Sequence, residues 1–484
     1  MFSLPLDTIL LFTLTTPLVG WAASKLHVRN LCGIYSAFGL SVAGYGLYRI
    51  SVDALSIPII IPLNSEPFQS GLRIDALSIF MSSTFILIGL LIAVYSVKFT
   101  EKNDETILYY ALLQAMIAGM IGVVFAGDLF TLFIFWELMC ISSYVLVSFR
   151  KQRWEAVEAG LKYLVMSSTG SAIILFGLSL IYGLTGTLNF IQLSNSMKAA
   201  STSWQYICWF LILSGFGIKT AIVPLHTWLP DAYSAAPSPI SAILSAVVTE
   251  TGLYALCRVL FIAFIPLQIE WSMILAALSV ITMTFGNIAA LLQVDLKRLL
   301  AYSSIGHIGY MLAGLAVGTQ LGLTGTFLHI FNHALMKGVA FLCVGAIIYR
   351  IGKRKLDEVA GIGRKMPTTT LAFGISLFAL TGMPPLNGFV SELTIFISTV
   401  QADMMWLGIS IILNSALSAG YVLRVLRSLL QSTNEKKFGN LKEAPITMLL
   451  PICLMAALIV LFGIWPDPIL DFAGKAASAL MFKT

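Results

Sequence analysis

Lysine, glutamate and histidine side chains set inside apolar stretches are the residues of this chain that could do chemistry, and the chemistry they suit is proton transfer. Lys219 leads the set. An apolar run begins near Trp204 and reaches Lys219 after fifteen residues. At ~1.5 Å per residue that carries the ammonium about two-thirds of the way across a ~30 Å hydrocarbon core. Pro224, five residues on, removes a backbone donor and clashes with the preceding turn, and His226, Trp228, Pro230 and Asp231 follow. A lysine at membrane depth costs ~3 kcal/mol or more and marks a functional site. A proline-broken helix is the form transporters use to line a site at the midplane.

The companions of Lys219 are of the same kind. Glu137 lies nine residues into DLFTLFIFWELMCISSYVLVSFR. It reads either as a carboxyl held by a hydrogen bond to a neighbouring helix or as the counter-charge of Lys219. Lys162 follows Glu158 by one helical turn, so it is either an ordinary i,i+4 pair or part of a relay. Glu250 sits near the centre of SAILSAVVTETGLYALCR, and His307 lies in AYSSIGHIGYMLAG beside Ser303 and Ser304. His329, His333 and Lys337 recur at one-turn spacing with Asn332 between them, so they line one stripe of a helix. Glu392 follows Pro384 and Pro385 in GMPPLNGFVSEL, and Arg424 is a further cation inside an apolar run. A relay of titratable groups is what a proton path needs. A chain with no path would need only about one or two of them.

The elements that must position these groups are membrane helices. The chain has 484 residues, 58% hydrophobic and 11% charged, with a mean hydropathy of +0.90. Soluble domains run near 25% charged, so a soluble multidomain enzyme is excluded and an all-α polytopic membrane protein in a lipid bilayer is expected. The apolar run from Leu4 to Gly20 lacks a basic leader and a clear cleavage site, and reads as the first span. The six cysteines stand singly, with no metal or disulfide spacing, and no nucleotide or nucleic-acid signature is present. No cofactor, metal or nucleic-acid partner is therefore expected. Hydropathy predicts about fourteen spans, near 3–24, 30–50, 75–98, 106–126, 129–149, 156–184, 204–233, 237–264, 271–293, 299–317, 320–349, 368–401, 405–430 and 446–466. The seventh and twelfth are broken by proline and lie five spans apart, an odd offset that reverses their direction. That is the pattern of two inverted five-helix repeats. The expected units are 1–105 (spans one to three), 106–264 and 265–430 (the repeats) and 431–484 (the last span and tail), with no long amphipathic helix after span fourteen.

Four stretches then carry a resemblance. WELM at 136–139, IKTAIVPLHTWLPDAYSAAPSPISAIL at 218–244, DLKRLLAYSSIGHIGYM at 295–311 and HIFNHALMKG at 329–338 resemble the antiporter-like subunits of respiratory complex I. Their superfamily includes the large subunits of Mrp-type cation/proton antiporters and of membrane-bound energy-converting hydrogenases. The resemblance covers roughly residues 70–430. It implies that Glu137 and Lys219 form an input pair and that Glu250 stands where a central lysine is common. Glu392 would be the last titratable site, and PPLNGFVSE is closer to the complex I and hydrogenase branches. The implied function is a proton-translocating subunit of a multisubunit redox-driven complex, without a redox centre of its own and with sister membrane subunits as partners. Two alternatives stay open: an Mrp-type exchanger with Na⁺ in part of the path, and a non-conducting membrane scaffold.

Charge sets the orientation. One set of loops carries Lys25, Arg29, Lys98, Lys102, Arg150, Lys151, Arg153, Lys297, Arg298, Arg350, Lys353, Arg354, Lys355, Arg364, Lys365, Arg427, Lys436, Lys437 and Lys442. The opposite set carries Arg49, Arg73, Lys198, Arg258, Lys475 and Lys483. Nineteen against six makes the first set cytoplasmic, with both termini outside, in a prokaryotic cell membrane. A reporter fused after Thr484 should be accessible from outside and one within 351–367 from inside; a cytoplasmic carboxy terminus would break the fourteen-span reading.

Overall fold

The computed structural model describes residues 4–26, 30–63, 70–100, 105–264, 271–432, 438–439 and 441–481. Arg29, Lys102, Lys436, Lys437 and Lys483, used above for orientation, lie outside them. The chain is an integral, multi-pass helical membrane protein. It opens with α1 (Pro5–Leu26), α2 (Leu31–Ala54), an antiparallel ribbon of β1 (Ile59–Pro62) and β2 (Gly71–Ile74), and α3 (Ala76–Thr100). Next come α4 (Thr106–Phe125), α5 (Leu129–Val147), α6 (Trp154–Thr185), the short α7 (Phe190–Ser196), α8 (Thr202–Lys219), α9 (Trp228–Ala235), α10 (Ser238–Ile243) and α11 (Thr249–Val259). The second half holds α12 (Trp271–Leu291), α13 (Leu296–Val317), α14 (Gln320–Ile351), α15 (Leu356–Val359), α16 (Pro367–Ala379), α17 (Asn387–Gln401) and α18 (Met405–Leu430). The chain closes with α19 (Ile446–Ile464) and α20 (Asp467–Met481).

Among the described residues, twelve helical segments are long and apolar enough to cross a membrane. The remaining two expected spans are the broken ones, α8–α9 and α16–α17. Helices dominate because hydrocarbon offers no water to backbone N–H and C=O groups, and a helix satisfies them within the segment. Two matching corners frame the halves. Asp128 caps α5 by accepting from Thr131 N–H at 2.8 Å and bridges to Asn189, just past the left-handed Gly186 that ends α6. Asp295 caps α13 by accepting from Arg298 N–H at 3.1 Å and bridges to Lys355, just past the left-handed Gly352 that ends α14. Both α6 and α14 have 32 residues. The same device thus recurs once in each half.

Three features differ from the sequence reading. The ribbon is one, between α2 and α3. The second is α20, whose alanine-rich face (Ala473, Ala476, Ala477) hides it from hydropathy; Phe472 sets it edge-on against Phe80 of α3, with centroids 5.0 Å apart. The third is the fate of two loop cations. Arg258 and Arg73 are buried, not exposed, and converge on Asp75, whose Oδ2 accepts from Arg258 Nη2 at 2.5 Å and faces Arg73 Nε at 3.4 Å. Burial alone would raise the Asp75 carboxyl, but the Arg258 and Arg73 guanidiniums and the Ser78 N–H hold it below the usual carboxylate range.

Close helix approach rests on small residues. A Cβ on Gly309 of α13 would fall 2.5 Å from Met283 N of α12. Gly309→Val should therefore pry the pair apart and lower the melting temperature of the purified protein. Gly183→Val, where a Cβ meets nothing within 4 Å, should not; equal melting of the two would show that this packing is not tight.

Candidate functional site

The seventh span stops being helical at Lys219. Ala221 takes a left-handed φ of 56°, which costs an L-residue about 1–2 kcal/mol. The freed backbone groups are satisfied locally: Ile218 O accepts from Trp228 Nε1 at 2.7 Å, and Val223 N–H donates to Thr282 Oγ1 of α12 at 3.2 Å. Lys219 is 2% exposed. Its ammonium donates to Ser143 Oγ of α5 at 3.2 Å and to the Tyr163 hydroxyl of α6, with the Tyr163 ring centroid 4.6 Å away. Tyr163 in turn stacks on Trp228 at 4.2 Å and 6°.

Glu137 is not the ion-pair partner of Lys219 in this structure. Its carboxylate accepts from Ser171 Oγ of α6, and the residue is partly exposed. The Lys219 ammonium is held further along α5, at Ser143 and near the Cys140 thiol, about one to two turns beyond Glu137.

Lys162 makes the i,i+4 pair with Glu158. It is half exposed and pairs with Glu158 at 2.8 Å and Asp231 at 3.2 Å, so it lies at the mouth of the protein and not at membrane depth. It lines a cavity of about 1030 Å³ with Arg150, Arg153, Lys297, Arg298 and Arg354. Four of these cations, Lys162, Lys297, Arg298 and Arg354, hold α9. Asp231 also receives Arg298 Nη1 at 2.9 Å, Ser234 O accepts from Arg354 Nη1 at 2.7 Å, and Ala236 O from Lys297 Nζ at 2.5 Å. Cations on the open carbonyls of a helix end suit its dipole.

The centre is more compact than the sequence suggests. Leu244–Val248 winds as a π-helix, a feature common at functional sites. Glu250 follows it, with Oε2 accepting from Thr249 Oγ1 at 2.9 Å and Oε1 lying 2.7 Å from His333 Nδ1. His333 is 5.2 Å, centroid to centroid, from His307. His307 Nδ1 lies 3.1 Å from His329 Nε2, and His329 Nδ1 lies 2.9 Å from Ser391 Oγ on α17. Glu250 and all three histidines are buried. So the expected stripe on α14 divides: His333 faces Glu250, His329 faces the twelfth span, and Lys337 turns to α13. Lys337 Nζ donates to Leu300 O at 3.1 Å and Ser303 Oγ at 2.8 Å. Ser391, next in sequence to Glu392, is what the stripe reaches, through His329 and not through Lys337.

In the twelfth span the interruption runs from 380 to 386. Asn332 pins the restart, its Nδ2 donating to Asn387 O at 2.8 Å while Asn387 Nδ2 donates to Asn332 Oδ1 at 3.0 Å. Glu392 Oε2 accepts from Ser415 Oγ of α18 at 2.7 Å. Gly382, at φ +66°, lies so close that a Cβ there would be 2.4 Å from Glu392 Oε2. Ser143, Tyr163, Ser171, Thr249, Ser391 and Ser415 complete the site and escaped sequence reading. Hydroxyls are frequent in membrane helices and bond back to their own turn, so they carry no distinguishing signal. Arg424 donates to Gln293 O at 2.5 Å, away from the site. Among the described residues no cluster of His, Cys, Asp or Glu is arranged to hold a metal ion.

Known proteins resemble the chain along most of its length. The family model described as NADH:quinone oxidoreductase/Mrp antiporter, TM, matches residues 126–418. F(420)H(2) dehydrogenase subunit N of Methanosarcina mazei is 36% identical, covering 93% of this chain and 91% of that one. NADH-quinone oxidoreductase subunit N of Trichlorobacter lovleyi is 36% identical over 85% and 86%. Among solved structures, a chain of the membrane-bound sulfane sulfur reductase, an archaeal respiratory membrane complex, superposes with a TM-score of 0.89 at 28% identity over 99% and 97% of the two chains. A chain of the Mrp complex from Dietzia sp. shares the fold, with a TM-score of 0.90 at 23% identity over 100% and 98%.

Tyr163→Phe leaves the buried Lys219 ammonium with Ser143 and the nearby Cys140 thiol. Hydrogen bonds to charged groups are worth ~1.5–3 kcal/mol, so the purified protein should melt several degrees lower. An unchanged melting temperature would mean that the hydroxyl does not hold a charged Lys219.

Proposed function

The chain belongs to the NADH:quinone oxidoreductase/Mrp antiporter family of transmembrane subunits, and from that premise we propose that it is a proton-translocating subunit of a multisubunit, redox-driven membrane complex. The observation that carries this reading is the buried sequence Glu250, His333, His307, His329 and Ser391, with atom separations of 2.7, 3.1 and 2.9 Å at three of its steps and a ring-centroid separation of 5.2 Å between His333 and His307. It begins beside one broken span and ends beside the other. A neutral imidazole donates from one nitrogen and accepts at the other. His329 can therefore give its Nδ1 proton to Ser391 while accepting at Nε2 from His307. The His333 and His307 rings have much the same centroid separation, 5.2 Å, as the 5.3 Å of His307 and His329, and a ring rotation would bring two of their nitrogens together.

In this reading Lys219 loads the path and Glu250 is the acidic member of the central pair, taking up a proton and passing it to His333. Lys337 sets the electrostatics of that pair, and Glu392 discharges the proton on the far side. Lys162 stands at the entrance with Asp231. Glu137 serves the junction with a sister subunit: a partly exposed carboxylate at membrane depth is costly in lipid, and a neighbouring subunit's polar surface would cover it. The working units are 106–264 and 265–430, with both termini outside a prokaryotic cell membrane. The matching Asp128 and Asp295 corners support that division. Protons are the transported ion here, and Na⁺ belongs to the exchanger reading.

The test uses the assembled complex in vesicles, with a pH-sensitive dye and an assay of electron transfer. Lys219→Ala and Glu250→Gln should each lower proton pumping at least about tenfold, the effect of ~1.4 kcal/mol on a rate, with the complex still assembled. Pumping that needs Na⁺ would favour the exchanger; wild-type pumping by both variants would leave the chain a scaffold.

A further inference from the structure

A lysine relays a proton through one vertex of its amine at a time, so what holds the other two decides where exchange occurs. Lys337 is fully buried. Behind it runs a chain of hydrogen bonds whose direction is fixed from the far end, because backbone carbonyls only accept. Asn414 Nδ2 donates to Ser410 O at 2.9 Å, which turns Asn414 Oδ1 toward α12. Asn287 Nδ2 donates to Asn414 O at 3.3 Å and to that Oδ1 at 3.2 Å, which turns Asn287 Oδ1 toward Tyr421. The Tyr421 hydroxyl, 3.4 Å away, must therefore donate to Asn287 Oδ1. Its lone pairs are left for Ser303 Oγ at 2.9 Å, so Ser303 donates to Tyr421. Ser303 then has only lone pairs to offer Lys337 Nζ at 2.8 Å, and Leu300 O at 3.1 Å also only accepts.

We propose that Tyr421, oriented by Asn287 and Asn414, is the positioning residue that commits two hydrogens of the Lys337 amine and leaves the third vertex as the one that exchanges protons. This rests on the reading of Lys337 as part of the proton path. The two committed bonds are the same for ammonium and for neutral amine, which still has two N–H groups. Loss of the third proton thus leaves a lone pair at the vertex the proton left, with no rearrangement behind it, and preorganisation of this kind lowers a transfer barrier. The ionisable groups acting on Lys337 are Glu250 of α11, His333 of its own helix and His307 of α13, with Tyr421 of α18 behind Ser303. Exchange is directed at the first three.

The chain also explains why α18 reaches both ends of the second half. Asn414 and Tyr421 lie seven residues apart on one face, and Ser415, beside Asn414, holds Glu392 at 2.7 Å. Arg424, which bonds to Gln293 O away from the site, and an asparagine in the middle of an apolar run are what mark α18 in the sequence pattern.

The experiment is made on the assembled complex in vesicles, scoring proton pumping across a range of pH. Tyr421→Phe keeps the ring and removes the hydroxyl; it should lower pumping about tenfold and displace the pH profile, with assembly unchanged. Ser303→Ala should do the same and Ser303→Thr should restore it. The double variant Ser303→Ala/Tyr421→Phe should be no worse than either single one, since both cut one chain. Wild-type pumping and pH profile in Tyr421→Phe, while Lys337→Ala is inactive, would overturn the positioning role and leave the relay standing. Additive losses in the double variant would also overturn it. Full pumping by Lys337→Ala would instead remove Lys337 from the path, and the proposal with it.

Discussion

Everything in this molecule answers to one constraint: inside hydrocarbon, no water is available to satisfy a polar group, and each one left bare costs several kcal/mol. A helix break at membrane depth is therefore possible only where side chains replace the lost backbone partners. Trp228 and Thr282 do this in the seventh span, and Asn332 does it in the twelfth. The same constraint recruits Ser143 and Tyr163 to Lys219 and Ser415 to Glu392. The ionisable groups are thus held in a hydroxyl, amide and imidazole framework, with few direct ion pairs among them.

The second organising feature is the fastening of α9, the short helix that follows the Lys219 break. Its Asp231 is shared by Lys162 of α6 and Arg298 of α13, and the carbonyls at its end are held by Arg354 and Lys297. Three of these four cations come from the second half of the chain. Any movement of the segment bearing Lys219 is therefore felt at the amino end of α13, the helix that also carries His307 and Ser303. That gives the two halves a mechanical connection on the charged face, separate from the buried groups between them.

Much of the fold and the identity of the ionisable groups could be read from the sequence. Apolar runs of about twenty residues mark spans with little ambiguity, and prolines mark the breaks. Charge in an apolar run is rare enough that Lys219, Glu250, His307, His329, His333, Lys337 and Glu392 announce themselves. Pairing was not legible. Whether Glu137 meets Lys219 depends on how two helices pack, which one-dimensional spacing leaves open, and the partner it does find, Ser171, is one of many membrane serines. Lys162 was misplaced in depth because hydropathy cannot locate the surface along a 32-residue helix. Arg258 looked like a loop charge because its partner, Asp75, is 183 residues away.

The length of α6 and α14 has an electrical consequence. At 32 residues each they measure about 48 Å at 1.5 Å per residue, well beyond a ~30 Å hydrocarbon layer. The surplus stands outside the hydrocarbon, so the basin around Lys162 and Asp231 lies in the aqueous phase. The ~2.3 kcal/mol that 100 mV is worth for one charge is then taken up by charge moving among the buried groups, and almost none of it by charge moving within the basin.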